Sequence, residues 1–173
     1  EERQLGIDIP TLVAVSSLAW ILVNVSHEII GHAGSTALLG IPVRAVSTTT
    51  ASIEWDQMMS IGALRIIMAS GTIMNIMGGL VALILLRLQK QANSAVRFFL
   101  WLFATFSFII VALNLVSVML IGAGDWTEVI RELEPRGLWK AIIIGAGVLI
   151  TIFGTIMPLS LWMPDLRGNR KAK

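Results

Sequence analysis

The sequence predicts an all-α membrane protein of about four transmembrane helices with a short β-rich segment after the first. Hydrophobic residues make up 55% of the 173 positions and charged residues 14%, a balance too apolar for an ordinary soluble domain. Residues 10–39, 58–88, 98–121 and 138–163 form four runs long enough to cross a hydrocarbon core of about 30 Å, which takes about 20 apolar residues. Peptide groups in lipid have no water to pair with, so these runs satisfy their own hydrogen bonds as helices. The whole length, residues 1–173, reads as a single integral membrane domain.

Glu1 to Ile9 is a polar lead-in, and Pro10-Thr11 suits a helix start because the first helical position needs no N–H. An unbroken helix over residues 10–39 would be about 45 Å long, more than the membrane core requires. It therefore tilts, bends or ends near Gly31, Gly34 or Gly40. Its second half carries Ser26-His27-Glu28-Ile29-Ile30-Gly31-His32, with the only two histidines of the protein. Ionisable residues inside a span are costly and mark functional sites. Asn24, Glu28 and His32 follow one another at i, i+4 spacing, so a regular helix puts them on one face, expected to point into the bundle.

Residues 40–56 change character: Val43, Val46, Thr48, Thr49, Thr50 and Ile53 form a β-branched run that predicts a strand or small hairpin at the membrane edge. The second span holds Arg65 near its start, then Gly71, Asn75 and Gly78-Gly79. The glycines permit close helix packing, while a mid-membrane amide such as Asn75 needs a partner on a neighbouring helix, a substrate backbone or a water. Arg87, Lys90 and Arg97 mark a basic loop, after which the third span runs to Asn114 and Ile121.

In Gly122-Ala123-Gly124-Asp125-Trp126, two glycines bring the backbone close to something and present a carboxylate. Asp125 reads equally as a metal ligand or as a helix N-cap. In the second case Glu128 completes a capping box for a segment from Trp126 to Glu134 that Pro135 helps to end. The fourth span has no ionisable group in its interior and is assigned to packing, with Pro158 as its kink position. The sequence has no internal repeat or low-complexity segment, so a transporter built from two related halves finds no support.

Without cysteine, disulfides and thiolate ligands are excluded, and any metal must use nitrogen and oxygen ligands. The basic tail Arg167, Arg170, Lys171 and Lys173 reads as a contact with the lipid surface, and no nucleic-acid-binding motif accompanies it. The chain starts at Glu1 rather than methionine, which is compatible with an upstream piece processed away, and nothing present resembles a signal peptide.

Taken together these residues resemble the intramembrane metalloproteases of the site-two protease family, peptidase family M50. That family carries His-Glu-x-x-His on its first core helix, then a β-rich segment, a Gly-x-x-x-Asn type motif on the second helix, and an aspartate after the third. The matching pieces here are His27, Glu28 and Gly31-His32; the Val43 to Ile53 run; Gly71 with Asn75; and Asn114 followed by Asp125. Their order matches over nearly the whole chain, while the Asn-x-x-Pro and Leu-Asp-Gly signatures are absent around Asn114 and Asp125. The resemblance implies zinc held by His27, His32 and Asp125, with Glu28 as catalytic base and Asn24, Asn75 and Asn114 in substrate binding or ligand support. It further implies hydrolysis of a membrane-embedded substrate that pairs with the β segment as an added strand. The partners it implies are membrane lipids and a transmembrane protein substrate or partner subunits, with no nucleic acid, in the plasma or inner membrane.

The motif here is His-Glu-x-x-x-His, one residue longer than the family's. On an α-helix, residues i and i+4 lie about 40° apart around the axis and i and i+5 about 140° apart. His27 and His32 therefore cannot face one metal from a regular helix. A π-bulge between Glu28 and Gly31 would return them to one face, and the glycine before the second histidine favours this repair. Alternatively Glu28, His32 and Asp125 bind the metal and His27 serves as base or support, or no metal binds.

The main rival is an inactive structural or accessory subunit on the same scaffold. A haem or pigment protein using His27 or His32 as axial ligand is a second, but two histidines on one helix cannot clamp a haem from opposite faces. Orientation stays open. Arg3, Arg87, Lys90, Arg97, Arg167, Arg170, Lys171 and Lys173 fall on the N-terminal side, and only Arg44, Arg131, Arg136 and Lys140 on the motif side. The positive-inside rule puts the motif outside, whereas the family opens its site to the cytosol.

Overall fold

The computed structural model describes residues 8–54, 59–89 and 95–166. Most of the lead-in, Met58 at the expected start of the second span, Lys90 of the basic loop and the tail from Arg167 lie outside the described residues. The described residues are about 80% helical, with a two-stranded antiparallel sheet after the first helix. Among the described residues, four helices are long and apolar enough to cross a membrane: Ile9–Leu38, Ile61–Leu88, Ala95–Ile121 and Arg136–Trp162.

The first span is α1 (Ile9–Val25), a π-helix (Ser26–Ala33) and α2 (Gly34–Leu38), running on without a break. Asp8 caps α1 by accepting the Thr11 N–H at 2.7 Å, one position earlier than the proline had suggested. The span ends in a Schellman motif: Gly40, at φ 72°, lets its own N–H reach the Ala37 carbonyl and that of Ile41 reach Thr36. Of the three glycines expected to end or bend the helix, Gly40 is the one that stops it.

The β-branched run forms the expected hairpin, β1 (Val43–Val46) paired with β2 (Ala51–Ile53), with Val43 opposite Ile53 and Val46 opposite Ala51. The Ser47 hydroxyl accepts the N–H groups of Thr49 and Thr50 and so fixes the turn. Arg44 and Glu54 pair at the open end.

Helix α3 (Ile61–Leu88), capped by Ser60, is the centre of the bundle: it packs against the π-helix, α4 (Ala95–Ala112) and the short helix α6 (Asp125–Val129). The third span continues from α4 through a second π-helix (Leu113–Val118) into α5 (Met119–Ile121). The last span, α7 (Arg136–Leu166), runs through Pro158 as one helix and packs on α4 and the second π-helix. Val111, Leu115, Met119, Ile130 and Ile143 form a core that joins the third span, the residue after α6, and α7. The segment after Asp125 is helical only to Val129, shorter than the expected stretch to Glu134.

Candidate metal centre

The extra residue of the histidine motif is absorbed by the π-helix Ser26–Ala33. Its ladder runs i to i+5, so residues five apart return to one face, and the Gly34 N–H reaches back to the Ile29 carbonyl. At the exit of this turn the His32 carbonyl accepts two hydroxyls, Ser35 at 3.0 Å and Thr36 at 2.6 Å. Both hydroxyls thus find an acceptor on their own helix in an apolar setting.

The result is a pair of imidazoles in edge contact, ring centroids 4.8 Å apart and planes at 84°, both 5% exposed. They lie against Gly71 of α3. A Cβ built there would come within 2.7 Å of both Nε2 atoms, and one built on Gly31 within 2.6 Å of the Gly71 Cα. Glycine at both positions lets the two helices touch and keeps the space between the imidazoles free.

Both Nε2 atoms converge on one carboxylate oxygen, Asp125 Oδ2, at 3.3 Å from His27 and 3.4 Å from His32. Tetrahedral zinc with bonds of about 2.0–2.1 Å has ligand–ligand edges of about 3.3–3.4 Å. These two distances fit such a site. Glu28 is half-buried, and its carboxylate lies within 4.8 Å of the ligand atoms of both histidines. The backbone N–H of Ala51 in β2 faces it.

The remaining ring nitrogens both face α3. His32 Nδ1 lies 2.7 Å from the Ile67 carbonyl, which can only accept, so Nδ1 carries the proton. A neutral His32 then turns a lone pair from Nε2 toward an acceptor oxygen of Asp125. Two acceptors 3.4 Å apart need a cation between them, either an added proton or a metal ion. His27 Nδ1 lies 3.2 Å from Asn75 Nδ2 on α3, and Asn75 is fully buried with its Oδ1 unpaired. A half-turn of that amide would offer an acceptor in place of a donor, which is the partner a metal-binding His27 with Nδ1–H requires.

Asp125 opens α6, and the N-cap is Gly124 at φ 93°, with no side-chain cap. Its carboxylate is turned to the histidines, so the cap reading gives way to a carboxylate in the site. Burial alone would raise its pKa, but where protons rather than a metal lie between the carboxylate and the two rings, the hydrogen bonds from His27 and His32 outweigh that and hold it well below the usual carboxylate range.

The structure brings His27, Glu28, His32, Asp125 and Asn75 together. Asn24 stays outside this group: its amide donates to the Trp20 carbonyl of its own helix at 2.8 Å. The expected polar stripe of Asn24, Glu28 and His32 assumed a regular helix, and the π-turn starts two residues after Asn24. Asn114 is half-buried in the second π-helix and has no hydrogen bond to the cluster among the described residues. Two supports were not legible as such, the Ile67 carbonyl on His32 and the Trp126 indole N–H on the Thr72 hydroxyl at 2.9 Å. Arg65, a lone cation in an apolar run, was a legible signal whose partners were not. No family model, curated protein or solved structure matches the chain.

Proposed function

We propose that this chain is an intramembrane zinc metallopeptidase, hydrolysing peptide bonds of membrane-embedded protein segments. The observation that carries the reading is the convergence of both imidazole Nε2 atoms on the Asp125 carboxylate, with His32 Nδ1 directed to the Ile67 carbonyl. His27, His32 and Asp125 would hold the metal, an all-nitrogen-and-oxygen set that suits zinc. Zinc held there would supply a Lewis acid and lower the pKa of a bound water toward about 7.

The chain's own groups then have distinct tasks. The Glu28 carboxylate, close to the histidines but on the hairpin side, takes a proton from the attacking water and passes it to the leaving amine. Ile67 and Asn75 orient the two rings through their Nδ1 atoms. The hairpin beside Glu28 offers a strand edge for an unwound substrate segment, giving backbone hydrogen bonds to a stretch that has lost its own. The resemblance of the sequence to the site-two protease family supports this assignment and, with it, a plasma or inner membrane location.

Metal analysis of purified protein tests the reading together with Glu28→Gln. The parent is expected to carry one zinc per chain and to cleave a transmembrane peptide; the variant is expected to keep the zinc and lose cleavage. A parent without zinc would sink the protease reading and favour an inactive accessory subunit. Loss of zinc in Glu28→Gln would make Glu28 a ligand instead of the base.

A further inference from the structure

Asp125 is the one candidate ligand that does not come from the first span. It sits on a helix of five residues, entered through Gly122 and Gly124, both at positive φ. So short a helix has little stability of its own, and something outside it must decide where its carboxylate stands.

Arg65 of α3 reaches across to the far end of that helix. Its Nε donates to the Val129 carbonyl at 3.0 Å and its Nη2 to the Arg131 carbonyl at 2.8 Å. The carbonyls at a helix C-terminus lack intrahelical donors and carry the negative end of the dipole, so a forked cation is suited to them. Two turns along the same face of α3, the Thr72 hydroxyl accepts the indole N–H of Trp126, next to Asp125. The residue after the helix, Ile130, is 1% exposed in the core. The same α3 supplies the Ile67 carbonyl to His32 and Asn75 to His27. One rigid helix thus references the ligands from both sides without providing a ligand.

We propose that Arg65 is a positioning residue: by docking α6 on α3 it sets Asp125 against His27 and His32. The metal consequence rests on the zinc-site reading; the docking itself does not. Arg65→Ala frees the C-terminal end of α6, so zinc affinity, measured by competition with a chromophoric chelator on the full chain in nanodiscs, is expected to fall about tenfold or more. Arg65→Lys, a single point donor, recovers part of the loss. In an Asp125→Ala background, Arg65→Ala is expected to have no further effect. An equal loss in both backgrounds would mean that Arg65 serves the fold in general and would overturn the proposal.

A second measurement needs no metal. The chain has no cysteine, so Ile66→Cys and Glu128→Cys give one spin-label pair between α3 and α6. Its distance distribution is expected to be narrow with Arg65 present and to broaden in Arg65→Ala, with Arg65→Lys between them. An unchanged distribution overturns the proposal even if the parent binds zinc. A parent without zinc refutes the metal reading, while the distances still decide the docking.

Discussion

His32 has one proton to place and two acceptors to face. The Ile67 carbonyl takes the proton at 2.7 Å, which leaves the lone pair on Nε2 and makes the ring's tautomer a consequence of α3 backbone geometry. His27 differs, because its Nδ1 partner is an amide that can present either an N–H or an oxygen. Removing that choice should weaken the metal without touching a ligand. Asn75→Leu, close in volume and without polar atoms, is expected to lower zinc affinity by about 10–100-fold, the range found for partners of ligating histidines. Asn75→Asp keeps an acceptor on Nδ1–H and is expected to stay within tenfold of the parent by the same titration. Equal weakening in both variants would remove Asn75 from the site.

The π-helix is the element on which the site depends. Deleting Ile30, which is 53% exposed, turns the motif into His-Glu-x-x-His, a spacing an ordinary α-helix brings to one face. The deletion variant is therefore expected to retain zinc by metal analysis. Its melting temperature is also expected to stay near the parent's, because the π-helix takes up the extra residue and its removal leaves α1 and α2 in nearly the same phase. Loss of zinc would mean that the π register itself, through the contact of Gly31 with Gly71, holds the site. The four spans and the hairpin were legible because apolar length and a β-branched run are local signals. The π-turn was legible as a counting mismatch between His27 and His32. The second π-helix, Leu113–Val118, was not, since Leu-Asn-Leu-Val-Ser-Val holds no such mismatch and its neighbour Gly147 lies on another helix. Asp125 stayed divided between cap and ligand because its partners are far away in sequence, and Asn24 misled because its helix changes period just after it.

At the scale of the whole molecule, four spans put the hairpin, the π-helix exit and α6 on one side of the membrane, and the start of α1 and the end of α3 on the other. Lys and Arg are held back from translocation, so their distribution argues for orientation. On the motif side, Arg44 pairs with Glu54 and Arg131 with Glu128. On the opposite side, Arg97 ties the third span to its neighbours, donating to the Leu86, Gln89 and Leu161 carbonyls. With Arg65 counted on the motif side the basic residues stand eight to five, still an excess opposite the motif even if acidic neighbours are ignored. The expected topology therefore has the hairpin and Asp125 away from the cytosol, against the orientation the family resemblance implies. Because the chain lacks cysteine, Thr48→Cys in the hairpin turn and Gln89→Cys at the end of α3 can each be labelled singly in intact cells. A membrane-impermeant maleimide is expected to modify Thr48→Cys without permeabilisation and to reach Gln89→Cys only after it. The reverse pattern would place the site on the cytosolic side and show that the charge count does not set the topology of this chain.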